Sequence, residues 1–133
     1  MRVAWLFAGL AVSALFNSAT AQTNEVTAFE GAWSFEGSTP PDSWLGAGFR
    51  DGQGVCGGPK QLNIIIREEA DPAGAQETRL RLHPDQPMGA RVTSISAHRL
   101  TAEFLGEIEV FEIGDDARLT ITRGDTRLAF SRC

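Results

Sequence analysis

Apolar and polar residues alternate through the last third of the chain, which is the pattern of strands that bury one face. A two-residue turn centred on Gly124-Asp125 has the glycine in the first position, as a type II′ hairpin turn prefers. In that register Ile121 faces Leu128 and Leu119 faces Phe130. Turn chemistry and apolar pattern therefore predict the same hairpin.

A second turn is predicted at Asp115-Asp116, with two residues at its centre. It places Val110 opposite Ile121 and inside the protein together with Glu112. The residues that then point outward are Glu107, Glu109 and Phe111. Residues 107–133 are thus predicted to form a three-stranded antiparallel meander.

Shorter stretches of the same alternation occur earlier in the chain. Residues 28–36 are predicted as a strand, and loops rich in Gly and Pro are predicted at 37–59, 70–76 and 84–90. The inward residues are Phe29, Gly31, Trp33, Phe35, Leu62, Ile64, Ile66, Leu80 and Leu82. Residues 92–105 suit either a strand with a bulge near His98 or a short helix that stops at Gly106, and we favour the strand.

Roughly seven to nine short strands with hairpin-length connections are compatible with a barrel or with a strongly coiled sandwich. A closed barrel leaves no bare strand edge. The predicted fold class is therefore all-β: a small antiparallel β-barrel of about eight strands with, at most, one short helix. We expect its own large side chains to fill the interior.

The N-terminus has the order of a secretory signal peptide. Arg2 precedes a 14-residue apolar run over positions 3–16, and Ala19 and Ala21 occupy the small-residue positions of a cleavage site. The run is shorter than the roughly 18 residues that a membrane span needs. We therefore expect cleavage after Ala21, a single mature domain over residues 22–133, and a periplasmic or secreted location.

Cys56 and Cys133 are the two cysteines of the chain and stand 77 positions apart. Export would deliver them to an oxidising compartment. Neither cysteine belongs to a Cys-x-x-Cys motif or lies beside a histidine in the sequence. These are the features that would favour a metal site or a catalytic thiol. The sequence predicts a disulfide that ties the last residue to the Gly-rich loop.

Several functional classes find no support in the sequence. The net charge is −5 and no polybasic tract occurs, so we do not expect nucleic-acid binding. His83 and His98 fit no metal-ligand spacing, and no Gly-x-Ser-x-Gly nucleophile motif is present. We expect no catalytic residue, metal ion or cofactor, and no enzymatic activity.

Gly31 and Trp33 on the first strand, the C-terminal meander and a late arginine strand resemble lipocalins and related calycin barrels. The resemblance implies that Trp33 plugs one end of the barrel and that Arg127 or Arg132 packs across it. The chain is much shorter than a lipocalin. Residues 114–130 also resemble the last hairpin of META-type bacterial envelope domains, although the Gly-Cys-Asn signature of that family is absent. Small secreted inhibitors of lysozymes and proteases are similar in size and shape.

Six acidic residues and no basic residue lie between Leu100 and Ala117. One interpretation is that these acids balance arginines on the final strands. The alternative is an acidic face that steers a cationic partner, formed by Glu103, Glu107, Glu109, Asp115 and Asp116. Within the long loop, Trp44, Leu45 and Phe49 either fold back over a barrel end or stand exposed as binding anchors.

We therefore expect an exported, non-enzymatic and monomeric binding module. Its partner would be a protein or another envelope macromolecule, and a basic one if the acidic face takes part. Trp44, Phe49 and the acidic face would contact it. Inhibition of a hydrolase is one concrete form of this function. The alternative is a calycin-type carrier of a small apolar ligand.

Overall fold

The computed structural model describes residues 28–133. Eight antiparallel strands follow one another around a closed barrel, which confirms the predicted fold class. In chain order they are β1 (Gly31–Thr39), β2 (Leu62–Ala70), β3 (Gln76–Arg81), β4 (Ala90–Ile95), β5 (Arg99–Phe104), β6 (Glu107–Ile113), β7 (Leu119–Arg123) and β8 (Thr126–Arg132). A 3₁₀ helix, Trp44–Phe49, lies between β1 and β2. The predicted signal peptide, residues 1–21, and its cleavage site fall outside the described residues.

Closure of the barrel joins the last strand to the first. Phe35 of β1 is directly opposite Phe130 of β8, and Trp33 is opposite Arg132. Each strand contributes its alternating apolar residues to a single interior. The largest fully buried side chains are Trp33, Phe29, Phe111, Phe130, Leu62, Ile64, Leu80, Leu100 and Leu119.

The two ends of the barrel differ. One end, called here the closed end, holds residues 28–30 at the start of β1 and the connections 71–75, 96–98 and 114–118. The other end, called the mouth, is formed by the loop 40–61, the loop 82–89 and the tight turns 105–106 and 124–125. In the part of the chain that the structure describes, no helix is long and apolar enough to cross a membrane.

The β7–β8 hairpin has the predicted register. Leu119 pairs with Phe130 and Ile121 pairs with Leu128. Gly124 has a φ of 58°, the positive value that the first position of a type II′ turn needs. This prediction was correct because the turn residues and the apolar pattern were consistent.

The register predicted between β6 and β7 was wrong by one residue. The connection has three residues between Gly114 and Arg118, whose backbone N–H and C=O are hydrogen-bonded at 3.0 Å. Its third residue, Ala117, has a φ of 62°, as three-residue hairpin loops require. Phe111 therefore pairs with Ile121, and Val110 pairs with Thr122.

This one-residue shift exchanges the two faces of β6. Phe111 lies inside and is 1% exposed, although it was predicted to point outward. Glu109 shares the inward face with Phe111 and lines the barrel interior, whereas Glu112 is exposed. The predicted orientations of Val110, Glu109 and Glu112 were all reversed.

Residues 92–105 form two strands and a turn rather than a helix, in agreement with the interpretation favoured from the sequence. They form most of β4 and β5, joined by a tight turn at Ala97-His98, and the bulge lies between Val92 and Ser94 rather than near His98. Leu105 and Gly106 have φ values of 52° and 83°, so a turn, not a helix stop, follows β5. The first strand begins at Gly31, later than predicted, and extends to Thr39 inside the predicted loop.

Cys56 and Cys133 form the predicted disulfide, with their Cα atoms 5.6 Å apart. The long loop runs beside β1 here, because the N–H of Phe35 donates to the carbonyl of Gly54 at 2.8 Å. The N–H of Cys133 in turn donates to the carbonyl of Ala32 at 3.1 Å. The bridge therefore fastens both the C-terminus and the long loop to the first strand.

Candidate binding site

Trp33 and Arg132 close one end of the barrel. The indole N–H of Trp33 donates to the carbonyl of Phe29 at 3.0 Å. The guanidinium carbon of Arg132 lies 4.0 Å from the centre of the Trp33 ring, in range for a cation–π interaction. The same guanidinium donates to the carbonyls of Glu30 at 2.6 Å and Ala28 at 2.7 Å.

Gly31 makes room for this arrangement. Its φ is 117°, and a Cβ at this position would lie 3.0 Å from Nη1 of Arg132. Arg127, the other arginine predicted to pack across the barrel end, is exposed near the mouth and pairs with Thr39 and Thr122. Of the two candidate arginines, the structure places Arg132 on Trp33.

The mouth contains a cavity of about 200 Å³. Its wall is mostly apolar: Leu45, Phe49, Leu62, Leu80, Leu82, Ala90, Phe104, Ile121 and Leu128, with Gln86, Glu109 and Arg123 as its polar members. The expectation of a completely filled interior was therefore wrong at this end. A short side chain at Ala90 and a carboxylate at Glu109 occupy inward positions where large apolar residues would have filled the space.

The 3₁₀ helix forms one side of the cavity. The Ser43 side chain caps it by accepting from the N–H of Gly46 at 3.3 Å. Leu45 and Phe49 both line the cavity, and the Phe49 ring lies 5.4 Å from the rings of Phe35 and Phe130. This aromatic cluster holds the helix against the barrel.

Trp44, by contrast, points away from the interior and is 74% exposed. The guanidinium carbon of Arg123 lies 6.0 Å from the centre of its ring. The loop thus has both of the roles considered for it, because it lines the mouth with Leu45 and Phe49 and exposes Trp44. Phe49, predicted as a partner contact, is instead packed in the aromatic cluster.

Glu109 and Arg123 occupy inward positions on neighbouring strands, next to the Val110–Thr122 pair. Arg123 nevertheless forms its ion pair with Glu107 at the rim. Within residues 28–133 no group hydrogen-bonds to the Glu109 carboxylate. Burial raises the pKa of Glu109; the charge of Arg123 opposes that rise and the charge of Glu107 adds to it. Glu109 is thus a partly buried acid without a direct hydrogen-bond partner among residues 28–133.

Gln86 adds a second polar group to the wall. Its side-chain oxygen accepts from the N–H of Leu82 at 2.8 Å, while the carbonyl of Gln86 accepts from Nε of Arg81 at 2.9 Å. Arg81 is itself paired with Glu69. These contacts hold the loop 82–89 over the strand that it follows, so the position of Gln86 is fixed from both sides.

The raised pKa of Glu109 leads to a prediction about the stability of the variant Glu109→Gln. The folded state holds the carboxyl proton more tightly than the unfolded chain does, so stability falls as pH rises above the ordinary value of 4.5 and through the raised value. We therefore expect Glu109→Gln to increase the free energy of unfolding at neutral pH. Near pH 3.5, where the carboxyl is protonated in both states, the difference should vanish. Urea titrations at the two pH values measure it.

The control for this experiment is Glu112→Gln, which makes the same change on the exposed face of β6. It should alter stability little at either pH. A Glu109→Gln variant that is less stable than the wild type at neutral pH would contradict the inward, partnerless position of the carboxylate.

The predicted acidic face is not one surface. Glu107 begins β6 at the mouth, whereas Asp115 and Asp116 follow its end at the closed end. Glu103 pairs with Arg91 at 3.3 Å. Glu109 points inward. Of the five acids predicted to form the face, only Glu107 and Glu109 therefore lie close together, and both are near Arg123 on the neighbouring strand β7.

Arginines neutralise most of the remaining acids. Asp116 lies 3.8 Å from Nε of Arg118 and accepts from the backbone N–H of the same residue at 3.1 Å. These contacts lie within one turn, whereas the pairs of Glu103 with Arg91 and of Glu107 with Arg123 join neighbouring strands. Together they fit the interpretation that arginines balance the acids.

Sequence reasoning missed four residues of the cavity wall: Gln86, Ala90 and Arg123, which it did not consider, and Glu109, which it placed on the outer face. A signal existed for Arg123, because it continues the inward row of Leu119 and Ile121 along β7. No pattern pointed to Gln86 or Ala90, since their place in the wall depends on how the loop 82–89 crosses the mouth.

No group of three or more His, Cys, Asp or Glu side chains within residues 28–133 is arranged to hold a metal ion. The candidate site is accordingly an apolar pocket with a carboxylate, an amide and a guanidinium group at its edge. Comparison of the chain with protein-family models, with curated proteins and with solved structures finds no match.

Proposed function

We propose that this protein is a non-enzymatic binding protein that holds one small, mainly apolar molecule in the cavity at the barrel mouth. The observation that supports this most directly is the cavity itself, about 200 Å³ in a barrel whose other half is packed with Trp33, Phe111 and Phe130. Concave, mostly apolar pockets with a few polar groups are the usual form of small-molecule sites. The proposal adopts the carrier function that the sequence left as an alternative.

The volume limits what can bind. A cavity of about 150 Å³ accepts benzene, whereas sites for drug-sized ligands are roughly 300–1,000 Å³. The mouth therefore suits a single ring with a short substituent or a short aliphatic chain. Long-chain fatty acids are too large for it.

Ala90→Leu tests this proposal, because a larger side chain at this wall position occupies the cavity. We expect the wild type to bind a single-ring probe such as benzyl alcohol saturably and one-to-one. The variant should bind it at least about tenfold more weakly, since the space and its apolar contacts are lost. Isothermal titration or ligand-detected NMR measures both affinities.

The matched control is Ala129→Leu, which makes the same substitution on the outer face of β8 and should leave the affinity unchanged. Failure of the wild type to bind any probe of this size would refute the proposal. Equal weakening by both substitutions would show that the loss does not come from filling the cavity.

A second candidate function is recognition of another macromolecule by the rim of the mouth. Trp44 is 74% exposed, Leu105 is 78% exposed and Ile108 is 49% exposed, and all three belong to the mouth end. Trp44 and Ile108 also border one groove of about 340 Å³. Exposed tryptophan is a frequent binding hot spot. In this second candidate the partner is the envelope protein expected from the sequence, and a hydrolase is one example of such a partner.

The two functions separate in a double variant, Trp44→Ala with Ile108→Ser. Neither residue lines the cavity, so single-ring probes should bind as they do to the wild type. An envelope protein recognised by the rim should lose its affinity. Loss of probe binding in this variant would instead place the small ligand at the rim and contradict the assignment to the cavity.

A further inference from the structure

We infer that the molecule held at the mouth is a small apolar amine, with its ammonium group on Glu109 and its apolar body in the cavity. This inference rests on the proposed function, since it names the chemical class of ligand for the same site. It follows from which polar groups the cavity presents and from which of them are already engaged.

The first step concerns the partner that Glu109 lacks. The carboxylate lines an otherwise apolar wall, and no group within residues 28–133 hydrogen-bonds to it. A partly buried carboxylate is stabilised by a donor, and a cationic donor stabilises it most. A ligand that carries an ammonium group would supply both the hydrogen bonds and the opposite charge.

The second step concerns Arg123, which could have satisfied Glu109 from the neighbouring strand. Its guanidinium is paired with Glu107 at the rim and lies beside the exposed ring of Trp44. The arginine is thus directed toward the rim. An ammonium group can then approach Glu109 without displacing an existing ion pair.

The third step concerns the sign of the charge at the mouth. The charged side chains that face Glu109 are Glu107 on its own strand and Arg123 on β7. The other wall residues, contributed by the helix, the loop 82–89 and the remaining strands, are uncharged. Two acids and one base favour a cation, whereas a ligand carboxylate would place a further negative charge beside Glu109.

Three probes of nearly equal shape isolate this charge preference: benzylamine, benzyl alcohol and benzoate. We expect benzylamine to bind the wild-type protein at least about tenfold more tightly than benzyl alcohol, and benzoate to bind more weakly than the alcohol. Titration calorimetry at neutral pH measures all three. Acidification should weaken benzylamine selectively, because protonation removes the negative charge of Glu109.

Glu109→Gln keeps the size and most of the shape of the side chain. It should reduce the affinity for benzylamine at least about tenfold, to the level of benzyl alcohol, and change the affinity for the alcohol less than about twofold. The same substitution on the exposed face of β6, Glu112→Gln, should change neither affinity. An unchanged affinity of Glu109→Gln for benzylamine, or a preference of the wild type for benzoate, overturns the inference.

The pattern of failure separates the two proposals. If the three probes bind equally well and Ala90→Leu abolishes all of them, the cavity binds small molecules and only the amine specificity is wrong. If no probe binds, both proposals are wrong.

A lysine side chain of another protein offers the same chemistry, an apolar stem that ends in an ammonium group. A lysine-containing tetrapeptide and its acetyl-lysine counterpart distinguish this source from a free amine. We expect benzylamine to bind more tightly than the lysine peptide. The free amine would be wrong as the ligand if the lysine peptide bound more tightly than benzylamine and if both acetylation and Trp44→Ala weakened the binding of that peptide.

Discussion

Replacement of both Cys56 and Cys133 by serine is expected to lower the free energy of unfolding by about 4.5 kcal/mol. The estimate follows from the 77-residue separation of the two cysteines, because a cross-link over so long a loop strongly restricts the unfolded chain. Domains of this size are stable by only about 5–15 kcal/mol, so the variant would lose a large part of its stability. The midpoint of thermal unfolding should fall by roughly 20 °C.

Urea denaturation of the double variant and of the reduced, alkylated wild type measures this effect. The free energy of unfolding should fall by similar amounts in both proteins, because both lack the same cross-link. A loss below about 1 kcal/mol would show that the unfolded chain is already compact or that the bridge adds strain.

The disulfide also bears on where the protein works. Such a bridge persists in oxidising compartments and is reduced in the cytosol. The stability of the fold would thus depend on the export that the N-terminal sequence predicts. Expression with and without residues 1–21 would test that dependence, with free thiols as the readout.

Local chemistry explains which parts of the fold were predictable. In the β7–β8 hairpin, Gly124 occupies the one turn position that needs a positive φ, and Leu119 and Ile121 meet apolar residues across it. The turn residues and the strand pattern are within ten positions of each other. Such agreement needs no knowledge of the rest of the molecule.

The cavity could not be predicted in the same way. Its wall combines the helix at 44–49, the loop 82–89 and inward positions of seven strands, so it depends on how distant segments meet. Alternation correctly identified Leu62, Leu80 and Ile121 as inward. It could not show that their side chains, together with the short Ala90, leave a space unfilled.

The position of Glu109 was mispredicted because of a single residue in a turn. Asp115-Asp116 resembles the centre of a two-residue turn, but Ala117 adopts a positive φ that alanine rarely has, and the loop takes three residues. Since side chains on a strand alternate, the extra residue moved Glu109 from the surface into the cavity wall. The candidate site was therefore hidden by a backbone conformation that the sequence does not favour.

The variants Phe111→Ala and Val110→Ala test this register most directly. After removal of the disulfide, we expect Phe111→Ala to cause the next largest loss in the free energy of unfolding. Phe111 is 1% exposed inside the barrel, opposite Ile121, whereas Val110 is partly exposed on the outer face. Removal of a buried phenyl ring costs about 3–5 kcal/mol, because transfer free energy is lost and a cavity remains. Removal of two methyl groups from an outer position should cost about 1 kcal/mol or less.

Urea titrations of the two variants decide between the registers, since the two-residue turn would exchange the two values. The comparison is internally matched, because adjacent residues of one strand are truncated to the same side chain. A larger loss for Val110→Ala would return Glu109 to the surface and remove the carboxylate from the cavity. The expected order, with Phe111→Ala far more destabilising, places Glu109 on the inner face, and the proposed amine site depends on that placement.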